Sequence, residues 1–263
     1  MNIINFENVN IGYDYRYLIL KNLNLKIQEG EHWVILGGNG SGKTTLLKLM
    51  SNDLYPNTYT AFKKEVFDQE RWEISKLKNH LGIVSSNLQN EFIFNARNSS
   101  AFEIIMSGFY SSLGKMLHHV YTKEQIKKTN NILEELSIEN LKNKKAYEMS
   151  TGELRKCLIA RALIHQPKAL ILDEPSTGLD IKAQHEFTKL LRKLSKKLSI
   201  IIITHHLEEI FEEITHVALL ADNQIYKQGK KEDLLNSSNI SKVFDMKLEL
   251  EKNKQRYFIK SIL

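Results

Sequence analysis

The sequence predicts an α/β protein built on a parallel sheet with covering helices. Two runs, Ala169–Leu172 and Ile200–Ile203, are continuously apolar over strand length, as strands buried on both faces are. Between them Phe187, Leu190, Leu191 and Leu194 form a helical stripe. A third strand, His32–Leu36, runs into a glycine cluster and then a helix from about Thr44 to Ser51. Alternation of this kind requires parallel strands joined by crossover helices.

The flanking segments follow the same logic. Asn2–Ile27 reads as short alternating strands with a turn near Gly12–Asp14. Gln89–Glu148 is mostly helical, with helices at Phe102–Met106 and Lys123–Leu136. In the second, Thr122 and Gln125 form a capping-box pattern and Ile126, Leu133 and Leu136 share a face. Val217–Ala221 and Gln224–Gln228 read as a hairpin around Asp222–Asn223. The tail alternates apolar residues around Lys252–Gln255, the pattern of a terminal β-hairpin.

Composition narrows the class. No apolar run approaches the roughly 18–20 residues that span a membrane, and Met1–Asn10 lacks the basic-then-apolar pattern of a signal peptide. The single cysteine, Cys157, excludes an internal disulfide and any multi-cysteine metal site and is expected to be a small buried residue. These features point to a cytosolic chain. The net charge of +6 comes from lysines interleaved with acids, as in Lys142–Lys145 and Lys227–Asp233, so they read as a solvated surface and no nucleic-acid partner is expected.

Gly37-Gly38-Asn39-Gly40-Ser41-Gly42-Lys43-Thr44 fits G-x-x-x-x-G-K-[ST] between a strand and a helix. Its glycines let successive N–H groups converge on an anion, and the helix dipole adds positive potential. Lys43 suits the β- and γ-phosphates, Thr44 a magnesium ion, and Thr45 further nucleotide contact. The strand Ala169–Leu172 delivers Asp173 and Glu174 at its carboxyl end, where open α/β sheets bind ligands. Asp173 fits a magnesium role, either as a direct ligand or through a water on the ion; Glu174 fits the general base acting on water. His205, just after the strand ending at Thr204, suits contact with the γ-phosphate and the water, whereas His206 reads as structural. His118 and His119 have no ligand partner in view.

A phosphate loop with an acidic strand is common to kinases, GTPases and helicases. The discriminating motif is Ser150-Thr151-Gly152-Glu153 before the helical Leu154–Leu163, followed by Pro167 and then Ser176-Thr177-Gly178-Leu179-Asp180. This resembles the LSGGQ signature and the D-loop of ATP-binding cassette (ABC) transporter ATPases, with Met149 for the leucine, Thr151 for a glycine and Glu153 for the glutamine. Motif order and spacing match from about Asn2 to Lys231.

The resemblance implies a P-loop NTPase fold: a RecA-like parallel-sheet core, an N-terminal antiparallel β subdomain and a helical insertion. Residues 1–240 would form one nucleotide-binding domain, with a helical subdomain over about 88–164 and an extension over 241–263. It implies ATP and magnesium as cofactors, with Ser150, Gly152, Glu153 and Asp180 among the nucleotide-binding residues. Tyr13 stands where the family stacks an aromatic on adenine, with Tyr15 and Tyr17 nearby. One cassette cannot complete a site, because Ser150 must meet the ATP of another subunit. A second ABC subunit, in a homodimer or heterodimer, and a transmembrane permease are therefore the implied partners, and the implied location is the inner face of the cell membrane. Ser150 and Glu153 also form a capping box, and both readings can hold.

The sequence departs from the family at Gly82-Ile83-Val84-Ser85-Ser86, where Ser86 takes the place of the expected glutamine. Either Gln89 assumes its role as ligand to magnesium and water, or the role is lost. Val84–Ser86, the Gly-Glu signature and Ser107-Gly108-Phe109-Tyr110 resemble ModF-type molybdate-transport ATPases, which would imply anion transport or an accessory role. The competing function is a non-transport cassette ATPase acting on a ribosome, nucleic acid or regulatory partner. Ribosome-type members carry two cassettes per chain; repair types carry coiled coils or zinc cysteines. A small-molecule kinase is disfavoured by the signature and D-loop.

Overall fold

The computed structural model describes residues 1–12, 16–114, 120–254 and 256–263; Tyr13, Tyr15, His118 and His119 lie outside them. The strands are β1 (Asn2–Gly12), β2 (Leu18–Gln28), β3 (Trp33–Gly37), β4 (Lys63–Val66), β5 (Leu81–Val84) and β6 (Ala169–Asp173). Then come β7 (Ser199–Thr204), β8 (His216–Ala221), β9 (Gln224–Lys230), β10 (Leu248–Asn253) and β11 (Arg256–Ile262). The helices begin with α1 (Lys43–Met50), α2 (Ile74–His80), α3 (Ser86–Asn95), α4 (Ala101–Met106) and α5 (Lys123–Glu135). They continue with α6 (Thr151–Leu163), α7 (Ile181–Ser195), α8 (Lys231–Leu234) and α9 (Ser237–Phe244). The chain forms two compact units, Met1–Glu73 with Leu194–Leu263, and Ile74–Lys193.

In the first unit β3 lies between β7 and β8, parallel to both, and β9 returns antiparallel to β8. Leu36 pairs with Thr204 and Gly37 with Leu220, so the chain leaves β3 and β7 at the same level. Val34–Leu36, Ile201–Ile203 and Val217–Leu220 are fully buried, which is why these strands read as unbroken apolar runs. Asp222 and Asn223 both have positive φ, as a two-residue hairpin turn requires. At the opposite end of β3, Trp33 stacks on His216 at 4.9 Å and donates to Glu31 Oε2 at 2.9 Å. His32 Nδ1 accepts from Ile200 N–H, and burial holds its pKa below the usual histidine value against the pull of Glu213.

A second, antiparallel sheet has the order β2-β1-β4. Its first two strands are each 11 residues long and bent by register shifts, in place of several short strands. Asparagines absorb the irregularity. Asn8 and Asn22 take positive φ, and their N–H groups donate to Asn24 Oδ1 and Asn10 Oδ1. The tail forms the hairpin β10–β11, with Leu248 opposite Ile262. Not every lysine here is solvated: Lys231 is buried and donates to the Glu212 carbonyl, contrary to the surface reading of Lys227–Asp233.

In the second unit β5 pairs parallel to β6, Val84 opposite Leu172. Helices α4, α5 and α6 gather Ile104, Ile105, Leu133, Leu154, Leu158 and their neighbours into a core. The Thr122–Gln125 capping box forms, as does one at Ser100–Glu103. The buried face of α5 is Thr129, Ile132 and Leu133; Ile126 is exposed, because the segment's apolar spacing admits a face rotated by one position.

Candidate nucleotide site

The first unit supplies an anion cradle. Gly42 caps α1 at φ 98°, and a Cβ there would sit 2.6 Å from Leu20 Cδ2, so a side chain would be strained and would have to displace Leu20. No side chain caps α1 and no acid lies in its first turn. Its leading N–H groups and positive dipole end are thus reserved for an external anion. Lys43 is buried and its ammonium lies back over the loop, donating to the carbonyls of Gly37 (2.9 Å) and Gly38 (3.0 Å). Thr44 is exposed, Thr45 half-buried, and Ser41 N–H closes the loop onto the Gly38 carbonyl. The residues fit a polyphosphate.

His205 leaves β7 beside the origin of this loop, because Thr204 is level with Leu36. It is half-buried, its ring 3.9 Å from that of His206. His206 N–H donates to Thr204 Oγ1 and its Nδ1 lies 3.3 Å from Glu208.

The second unit supplies acids and the signature. Asp173 ends β6, and Glu174 turns the chain sharply at φ 50°, a left-handed conformation that costs an ordinary residue roughly 1 kcal/mol or more. Such a turn re-aims the side chain at the strand's end, and Pro175 locks the next step. Thr177 N–H returns to the Glu174 carbonyl, Gly178 takes φ 77°, and Asp180 Oδ1 accepts from Ala183 N–H at 2.7 Å, capping α7. The Asp180 carboxylate is therefore spent in part on its own helix.

Ser150 caps α6 by accepting from Glu153 N–H at 3.2 Å, while Glu153 Oε2 accepts from Ser150 N–H at 2.8 Å. The same oxygen takes Lys144 Nζ at 2.7 Å. Burial works to raise the Glu153 pKa, but Lys144 and Ser150 together hold it below the usual carboxylate value. Ser150 and Thr151 are exposed at the helix start.

Gln89 does not sit in a loop. Ser85 caps α3, the helix begins at Ser86, and Gln89 lies one turn in, buried. Its Oε1 accepts from Arg155 Nε at 3.1 Å and Nη2 at 2.8 Å. Both lone pairs of that oxygen are thereby engaged by the guanidinium. Ser85 leaves β5 level with Asp173 leaving β6, so Ser86 begins the segment flanking the acids. Sequence reasoning missed Arg155; an arginine on the signature helix with Lys156 beside it and Glu153 two positions before gives no distinguishing signal. Tyr13, expected against adenine, lies outside the described residues.

Comparison with known proteins agrees with this inventory. Residues 20–177 match the family model described as ABC transporter. The chain is 34% identical to the uncharacterized ABC transporter ATP-binding protein YmeB of Lactococcus lactis subsp. lactis, over 98% of both chains. It is 31% identical to the energy-coupling factor transporter ATP-binding protein EcfA2 of Clostridium perfringens, over 94% of this chain and 84% of that one. Among solved structures it resembles cbiO1 of Clostridium perfringens, part of the ABC transporter complex cbiONQ, with a TM-score of 0.76 and 28% identity over 91% and 92% of the two chains. With a phosphate cradle, a strand-end acid pair and a capped signature helix in family order, the chain belongs to the ABC transporter family as one of its ATP-binding, ATP-hydrolysing subunits.

Proposed function

We propose that two copies of this chain close head to tail around two magnesium-ATP molecules and that the closure drives a transmembrane permease. Residues Gly37–Thr45 hold the triphosphate, with Lys43 transferring its ammonium from the loop carbonyls to the β- and γ-phosphates. Magnesium, when bound, neutralises phosphate charge. Thr44 and Asp173 offer the hard oxygen donors it prefers. Glu174 takes a proton from water as the water oxygen attacks the γ-phosphorus and the bond to ADP breaks. His205 orients the water and the γ-phosphate, Asp180 steadies the subunit contact, and Tyr13 stacks on adenine.

The observation carrying the dimer is at Gly152. A Cβ there would meet only Leu179 Cδ2 at 3.5 Å and Ala183 Cβ at 3.6 Å, ordinary contacts. Packing within the chain does not need a glycine there, which supports a role toward something outside the chain: in this reading Ser150, Gly152 and the amides of α6 receive the γ-phosphate held by the other copy. In support of a permease, α3 presents Phe94 at 75% exposure, and Val120 is 80% exposed. No helix of the described residues is long and apolar enough to cross a membrane; in this reading the chain meets the inner face of the membrane through the permease. The names of EcfA2 and cbiO1 support a transporter assembly of this kind. The finer likeness to ModF-type ATPases rests on Val84–Ser86 and Ser107–Tyr110; the permease sets the solute.

Glu174→Gln is the test. It should lower magnesium-dependent ATP hydrolysis at least about 100-fold and accumulate an ATP-bound dimer on a sizing column. Hydrolysis at the normal rate would remove Glu174 from the role of base.

A further inference from the structure

The signature of this chain carries a carboxylate, Glu153, where the family motif carries a neutral glutamine. In helix terms the substitution is harmless, since an acid at the third position of α6 completes the capping box and favours the positive end of the dipole. For an incoming anion it is adverse. The same amides that would receive a phosphate now sit beside a fixed negative charge.

We infer that Lys144 is a positioning residue of the nucleotide site, neutralising Glu153 so that the start of α6 receives the γ-phosphate of a second copy. The inference rests on the head-to-tail dimer proposed above. Three observations support it. Lys144 Nζ lies 2.7 Å from Glu153 Oε2, on the oxygen that also takes the Ser150 N–H. The lysine is delivered by fixed backbone: its N–H donates to the Leu141 carbonyl and its own carbonyl accepts from Ala101 N–H at the head of α4. Glu153 stays ionised, held below the usual carboxylate range once Lys144 and Ser150 overcome its burial, so it cannot shed its charge by taking a proton.

The magnitude of the pair argues against a purely structural role. The two side chains are 33% and 30% exposed, a half-wet ion pair of the kind that adds little to folding. The helix cap already stands on the Ser150–Glu153 exchange, which a glutamine would also make. What the helix cannot supply by itself is charge neutrality at the surface Ser150 presents.

The experiment is a double-variant cycle in the Glu174→Gln background, reading the ATP concentration that gives half-maximal dimer. Lys144→Met should raise that concentration about tenfold, the effect of one uncompensated charge in a half-screened setting. Lys144→Arg alone, and Lys144→Met combined with Glu153→Gln, should each stay within about twofold of the parent, while Glu153→Gln alone, which leaves the lysine uncompensated, should lower that concentration. Binding of a fluorescent ATP analogue to the monomer, and the melting temperature, should not change in any of them. The Lys144→Met defect should shrink in about 0.5 M salt. A Lys144→Met protein that dimerises like the parent overturns the inference, and so does a defect that Glu153→Gln fails to relieve, with the dimer reading intact in both cases. A parent that never dimerises with ATP overturns the dimer reading and takes this inference with it.

Discussion

Arg155 Nη2 donates to Gln89 Oε1 at 2.8 Å, and its Nη1 donates to the carbonyls of Pro175 and Thr177. One buried guanidinium thus joins α3, the signature helix α6 and the turn that follows Glu174. Arginine suits this because its planar fork addresses three acceptors at once, in fixed directions. Gln89, which the sequence offers as a replacement magnesium ligand, holds through this arginine to the element that carries the signature.

Truncating that arginine should therefore cost more than a surface residue. Arg155→Met leaves Gln89 Oε1 and two carbonyls without this donor, at roughly 1–3 kcal/mol for each group left dry. With three such groups, a total loss of at least about 3 kcal/mol is expected in urea unfolding. Arg155→Lys should recover only part of it, since one ammonium cannot span the three acceptors. An unchanged midpoint for Arg155→Met would show that the network is ornamental.

Gly152 gives a prediction in which stability and activity part company. An alanine replaces a glycine in the first turn of α6 and meets only ordinary contacts at 3.5 and 3.6 Å. Stability should rise by up to about 1 kcal/mol from helix propensity. ATP-driven dimerisation should fall, and hydrolysis with it by about tenfold or more. The checks are a thermal melt and steady-state ATPase on the same preparation; a protein that is less stable yet fully active would contradict the reading of this glycine.

The sheet, the phosphate loop and the acids were legible because each has a strong local cause. Buried parallel strands leave continuous apolar runs, as at Ile200–Ile203 and Ala169–Leu172. A glycine at φ 98° before Lys43 leaves a spacing that little else produces. The less legible features depend on contacts between distant segments. Nothing near Gln89 in sequence shows that Arg155, 66 positions on, takes its carbonyl. Likewise Ile126 and Ile132 are both apolar within α5, and only the packed neighbours decide that Ile132 is buried and Ile126 exposed. Asn8 and Asn22 are similar: a residue that tolerates positive φ is visible, but the bulge that uses it is not.

Cys157 should be silent while the protein is folded. It is fully buried on α6, and burial, with Glu153 nearby, pushes its thiol pKa up to about 12. At pH 8 only about one thiol in ten thousand would be thiolate. Reaction with a disulfide reagent should therefore track opening of α6, rising steeply with urea across the unfolding transition. Fast labelling in native buffer would mean that α6 opens locally without global unfolding.

Lys64 should impose a pH-dependent cost. It is 5% exposed on β4, its ammonium donates to Asn52 Oδ1 just beyond α1, and the Tyr55 ring centroid lies 4.8 Å away. Among the described residues no carboxylate pairs with it. Burial outweighs both contacts and lowers the pKa from 10.5 to about 8. A lysine whose folded pKa is depressed binds fewer protons folded than unfolded between those values, so folding stability rises with pH across that window. The penalty is present in full below about pH 8 and fades towards 10.5. Lys64→Met removes the charge and keeps most of the volume. It should stabilise the protein by about 1–3 kcal/mol near pH 7, after the lost Asn52 bond and Tyr55 contact are offset. Its advantage over the natural sequence should narrow by about pH 9.5 in paired urea titrations. A gap of the same size at both pH values would show that Lys64 folds with its ordinary affinity for protons.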